Sequence, residues 1–134
     1  MRWESGYLLH IHIAPMASAN MVELDEAELV VGKGIVNDRY YKQNGSYSKI
    51  PDIRDVTLIE NEVLEALASN QPPLQEKPII LKPVEHRRNL TTSGVPLNYL
   101  VGKTFQIGEV ILKGGRLNFP CKYLADLLQK PLVL

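Results

Sequence analysis

The chain has 134 residues, 45% of them hydrophobic, and its 15 basic side chains balance 15 acidic ones. One domain of this size, residues 1–134, can bury about two-thirds of the surface its unfolded form exposes, so a core needs neither a disulfide nor a metal. Zero net charge gives no support to a general nucleic-acid binder, and the single cysteine excludes an intrachain disulfide and suits a reducing compartment.

From the N-terminus, the opening residues carry Glu4, His10 and His12 within their apolar stretch, which is unlike a secretory signal. No apolar run reaches the ~18 residues of a membrane span, so a soluble, cytoplasmic protein is expected. GYLLHIHIAP alternates with period two and predicts a strand ended by Pro15, with Tyr7, Leu9, Ile11 and Ile13 on one face and Leu8, His10 and His12 on the other. VELDEAELVVGKGIV predicts one or two short strands, and Gly32 and Gly34 around Lys33 mark a tight turn or bulge. NDRYYKQNGSYSKIPD is a polar loop with a turn at Asn44-Gly45. RDVTLIE predicts a strand. ENEVLEALAS predicts a helix that packs through Val63, Leu64 and Leu67 and is stopped by the prolines of NQPPLQEKP.

IILKPVEHRRNLTTSGVPL reads as a strand running into a polar loop, and NYLVG as a single turn. TFQIGEVILKGGRL predicts a hairpin turning near Gly108, and PCKYLADLLQK a closing helix with Pro120 in its first turn and Leu124, Leu127 and Leu128 as its buried stripe. Short strands with two inserted helices predict a small, mainly β barrel with peripheral helices, with an open α+β sheet as the alternative.

Four stretches, GKGIVNDRYY, RDVTLIENEVLEAL, RRNLTTSGVPLNYLVGKTFQIGEVIL and GRLNFPCKYL, resemble in order the MOSC domain, the C-terminal domain of molybdenum-cofactor sulfurases. The resemblance runs from about Tyr7 to the end of the chain. It implies a MOSC-like β-barrel with a few helices and one functional cysteine, matched by Cys121, which would carry sulfur as a persulfide to molybdenum cofactor (molybdopterin) or another metal–sulfur centre. Such a domain takes sulfur from a cysteine desulfurase or another sulfur donor and hands it to a molybdoenzyme or its cofactor. Pyridoxal phosphate would belong only to a separate desulfurase, for which this chain has no room. Two departures stand out. Asn118-Phe119 occupies the place where many relatives have a second cysteine, and the chain ends soon after the cysteine helix, so the barrel is expected to lack its last closing strand. A strand edge left open in that way would suit a homodimer.

Cys121 follows Pro120 and precedes Lys122 at the predicted start of a helix, where unpaired N–H groups and positive charge favour a thiolate; the alternative is an inert, buried thiol. HRRN, residues 86–89, is either a solvated loop or an anion site, since guanidinium forks suit phosphate oxygens. The resemblance places this loop beside the cysteine, which makes Arg88 and Asn89 candidate pocket residues, with Arg39 and Arg116 as further candidates. Asp38 is expected to orient Arg39 or cap a turn. His10 and His12 have a spacing that can chelate zinc together with Cys121 or His86, but two histidines recur by chance, and hydrogen-bonded histidines on a polar face are the expectation. Three roles compete: sulfur transfer with possible sulfurtransferase-type activity, a molybdenum-cofactor-binding module with Cys121 as metal ligand, and a non-catalytic interaction domain.

Overall fold

The computed structural model describes residues 6–43, 55–70 and 78–115. Among these, eight short strands, one α-helix and one 3-10 turn make the chain mainly β. The strands are β1 (Tyr7–Ile13), β2 (Val22–Leu24), β3 (Leu29–Val30), β4 (Gly34–Ile35), β5 (Leu58–Glu60), β6 (Leu90–Ser93), β7 (Thr104–Ile107) and β8 (Val110–Lys113). The helix α1 spans Asn61–Ser69, and Leu97–Leu100 form the 3-10 turn. A four-stranded sheet runs in the order β2-β1-β6-β5, and β3-β4 and β7-β8 are separate two-stranded ribbons. The predicted turn at Asn44-Gly45, the prolines after α1 and the helix carrying Cys121 lie outside the described residues.

The central strand is the one least visible in the sequence. LTTS reads as part of a polar loop, yet it forms β6, antiparallel to β1 and parallel to β5. Leu90, Thr91 and Thr92 are all buried. Threonine is β-branched and suits a pleated surface, and its hydroxyl can be buried when it finds a partner. The apolar run at Ile79–Leu81, expected to be a strand, is instead an extended segment whose Ile79 N–H donates to the Leu67 carbonyl at 2.9 Å.

A register shift between Leu8 and His10 alters the predicted faces of β1. Leu8 pairs with Thr92 and His10 with Thr91, so two steps on β1 match one step on β6. Leu9 is the extra residue of a bulge, and the inside–outside alternation flips across it. The consequence is that the histidine face turns inward: His12 is buried, whereas Tyr7, Leu8 and Leu9 are exposed.

Leu64 and Leu67 of α1 pack with Ile59, Ile79 and Leu81, with Val63 against them. Each such side chain contributes about 1.5–3 kcal/mol when fully buried. The start of α1 has no side-chain cap of its own. Its acidic residues are used elsewhere: Glu60 accepts from the Leu97 N–H at 2.7 Å and Glu62 from the Gly94 N–H at 3.0 Å. The helix ends at Asn70 in the left-handed conformation (φ 55°, ψ 41°), a geometry that asparagine tolerates better than most residues. The β7-β8 hairpin closes through a two-residue loop between Ile107 and Val110, as predicted, with Gly108 at φ 56°.

Gly34 combines a left-handed backbone with a close approach of another chain segment. Its φ is +105°, and a Cβ placed there would lie 2.3 Å from the carbonyl oxygen of Asp55. Both the backbone conformation and the clash oppose any side chain. Gly34→Ala should therefore destabilise the protein by roughly 2 kcal/mol or more, read as a lower urea midpoint with an unchanged slope.

Candidate functional site

The HRRN turn is built before it can bind anything. Glu85 closes it from one side, its amide donating to the Lys82 carbonyl at 2.8 Å and its carboxylate accepting from the Lys82 N–H at 2.9 Å. Arg87 then takes a positive φ of 63°, which reverses the chain into β6. Arg87 donates to the Ala19 carbonyl in the β1–β2 connection. Arg39 donates from Nη2 to the Arg87 carbonyl at 2.8 Å, across 48 positions of sequence. Arg88 folds back, its Nη1 donating to the His86 carbonyl at 3.0 Å.

The structure thus brings Arg39 to the turn that carries Arg88, and it gives Arg39 internal work. Arg39 is only 4% exposed, pairs through Nη1 with Asp38 at 3.1 Å and lies over the Tyr40 ring at 4.4 Å. Asp38 is fully buried and does both tasks predicted for it. Its Oδ1 accepts from Arg39 and from the Ala14 N–H, and its Oδ2 caps a turn by accepting from the Tyr40 N–H at 3.2 Å. A buried ion pair survives desolvation when its remaining atoms are hydrogen-bonded in this way.

Asn89, expected in a pocket, faces the sheet instead. It is fully buried. Its Oδ1 accepts from the Thr57 N–H at 3.0 Å and the Thr57 hydroxyl at 3.1 Å, while its Nδ2 donates to the His12 carbonyl at 3.0 Å. The backbone completes the bracket, with the Asn89 N–H donating to Thr57 Oγ1 at 3.0 Å and the His12 N–H to the Asn89 carbonyl at 2.7 Å. The carboxamide thereby ties β1 and the residues entering β5 to β6. Arg116 and Cys121 lie outside the described residues.

Sequence reasoning named His86 only as a possible partner of His10 and His12 in a zinc site and did not foresee its burial: it is fully buried beneath the turn. Its Nδ1 faces the Arg88 N–H at 2.9 Å and its Nε2 faces Thr91 Oγ1 at 2.7 Å. A backbone N–H can only donate, so Nδ1 is the acceptor and the ring proton sits on Nε2, donating to Thr91. Burial, followed by the charge of Arg88 and the neighbouring His12 and His10, lowers its pKa to about 3. Against it, edge-on at 6.1 Å between ring centroids, lies His12. Burial also lowers the His12 pKa, partly offset by Glu23, whose Oε1 is 3.6 Å from Nε2, and reinforced by His10. His12 Nδ1 is buried and has no hydrogen-bond partner among the described residues. His10 meets the Glu23 carboxylate at the sheet edge. All three histidines of the chain therefore form one row, running from that edge to the HRRN turn. Among the described residues no three His, Cys, Asp or Glu side chains are arranged to hold a metal ion.

No family model matches the chain, and no curated protein or solved structure matches it either. Among the described residues, no helix is long and apolar enough to cross a membrane.

Two outcomes follow from this geometry. Asn89→Ala should cost roughly 3–5 kcal/mol in chemical denaturation, because the Thr57 amide and the His12 carbonyl each lose a buried partner. A loss below 1 kcal/mol would mean that the side chain is not integral to the fold. His12 and His86 make the fold acid-labile. The folded pKa values of these two lie below the unfolded value of about 6.5, so the unfolded chain binds more protons, and stability is complete above that pH and falls below it. His86 alone should remove about 2 kcal/mol between pH 7 and 5, and about 4 kcal/mol by pH 3, readable in urea midpoints across that range.

Proposed function

We propose that the chain is a sulfur-carrier domain of the MOSC type, in which Cys121 accepts a sulfane sulfur and passes it to a metal–sulfur centre or its cofactor. What supports the reading is the sequence setting of Cys121: the only thiol in the chain, between Pro120 and Lys122, in the motif that carries the resemblance. The mainly β framework is compatible with a MOSC-like barrel.

The step is redox-neutral. The Cys121 thiolate attacks the terminal sulfur of a donor persulfide; a new S–S bond forms at Cys121 while the donor's S–S bond breaks, and the donor cysteine leaves as a thiolate. A cysteine desulfurase is the class of donor proposed, because the step consumes a sulfane sulfur held on another cysteine. Arg88 and Arg116 are the cations proposed to meet an anionic partner or acceptor. Molybdenum cofactor as a resident group fits the described residues poorly. Asn89 faces into the sheet, and Arg39 is held by Asp38 and the Arg87 carbonyl, so no step is routed through a bound cofactor.

The test is direct. Incubation with a persulfide donor should add about 32 Da, one sulfur, to the wild-type protein and nothing to Cys121→Ser. The thiol should also alkylate with a midpoint below the value of about 8.5 for free cysteine. Absence of the adduct, together with labelling only after unfolding, would return Cys121 to the role of an apolar filler.

A further inference from the structure

We propose that His86 is a proton-operated latch that holds the Arg87–Arg88 turn against the sheet when its ring is neutral and releases it when the ring is protonated. This inference is independent of the chemistry of Cys121.

The geometry defines the closed state. The neutral ring spends both nitrogens: Nδ1 receives the Arg88 N–H, and Nε2–H donates to the Thr91 hydroxyl in β6. A proton can arrive only on Nδ1. Once there, it confronts the N–H it was accepting, so protonation removes the hydrogen bond that fixes the turn and leaves two donors facing each other. Among the described residues the surroundings offer no compensation. From its own turn the ring feels Arg88, and from β1 it feels His12 and His10. Thr91 is uncharged, and the nearby carboxylate, Glu23 of β2, contacts His10 and lies across His12 from His86. The ring itself is fully buried. A buried imidazolium beside a guanidinium, without a carboxylate in contact, is unstable in the closed turn and is accommodated by moving into water.

Opening should reach beyond His86. The Arg87 carbonyl is the acceptor for Arg39, and the Arg87 guanidinium reaches the Ala19 carbonyl, so the same movement unfastens the turn from the β1–β2 connection and loosens Arg39. β6 has separate anchors. The Leu90 N–H donates to the Thr57 carbonyl at 3.0 Å, and the Asn89 carboxamide has no titrating group. The latch therefore acts on the turn and spares the sheet.

Amide hydrogen exchange by NMR tests this on the whole protein, with the Arg88 N–H reporting the latch and the Leu90 N–H reporting the sheet. In the wild type, Arg88 protection should fall about tenfold per pH unit below about 6.5 while remaining insensitive to low urea, the signature of a one-proton local opening. Leu90 should stay better protected and respond to urea. In His86→Asn the side chain keeps an acceptor near the place of Nδ1 but cannot titrate, so the pH slope at Arg88 should disappear. The proposal is overturned if Arg88 protection is flat with pH, if Arg88 and Leu90 share one urea-sensitive protection at every pH, or if His86→Asn keeps the slope. Should His86→Asn fail to fold, the wild-type comparison of the two amides decides alone.

Discussion

The Asn89 carboxamide is the fastening on which the described fold depends. Three chain segments meet at it: the end of β1, the residues entering β5, and the start of β6 itself. The end of β1 and the residues entering β5 each bring it a backbone group, the His12 carbonyl and the Thr57 N–H, and leaving such a buried group unmade costs about 1–3 kcal/mol, more than a typical hydrogen bond contributes. The asparagine is effective because one side chain offers an acceptor and a donor at once, toward Thr57 on one side and the His12 carbonyl on the other. An apolar residue there could fill the space but could not select this strand arrangement over its neighbours.

Around that fastening the interior divides in two. On the helix side the packing is aliphatic, with Ile59, Leu64, Leu67, Ile79 and Leu81 in contact. The remaining buried side chains are mostly polar, His12, His86, Asp38, Arg39, Thr57 and Thr91 among them, with Ala14, Met21, Ile35 and Leu90 as apolar exceptions. The aliphatic half supplies non-directional burial and tolerates rearrangement; the polar half is directional and admits few geometries. Stability and uniqueness are thus assigned to different residues. The unpartnered Nδ1 of His12 is the exception in the polar half, and no neighbouring group among the described residues accounts for it.

Much of the outline was legible in the sequence. Period-two patterning found β1, β5 and the β7-β8 hairpin, and 3.6-residue patterning found α1 with its buried leucines. What could not be read was set by contacts distant in sequence. LTTS has no apolar alternation; it becomes a central strand because β1 lies on one side of it and β5 on the other. The bulge at Leu9 leaves no local mark, yet it decides that the histidines face inward. The candidate site divides in the same way. That Asp38 orients Arg39 followed the sequence reading. The burial of Asn89 did not follow from it, because a polar residue between Arg88 and Leu90 looks like loop until its partners Thr57 and His12 are known. His86 could have been suspected from one signal: a histidine three residues after a proline and just before two arginines, where solvation alone would favour another polar residue.

The topology also sets an order of events during synthesis. β1 emerges first, and its neighbour β2 follows within a few residues, but the strand that must cover its other edge arrives some 77 positions later, as the span between His12 and Asn89 measures. Pairings of such long range are entropically slow to close, and a strand kept waiting presents open backbone to any other chain. The histidines of β1 place ionisable groups on that waiting strand, while Tyr7, Leu8 and Leu9 remain exposed even in the finished sheet. Chaperone dependence and crowding on polysomes are thus properties to look for in the nascent chain.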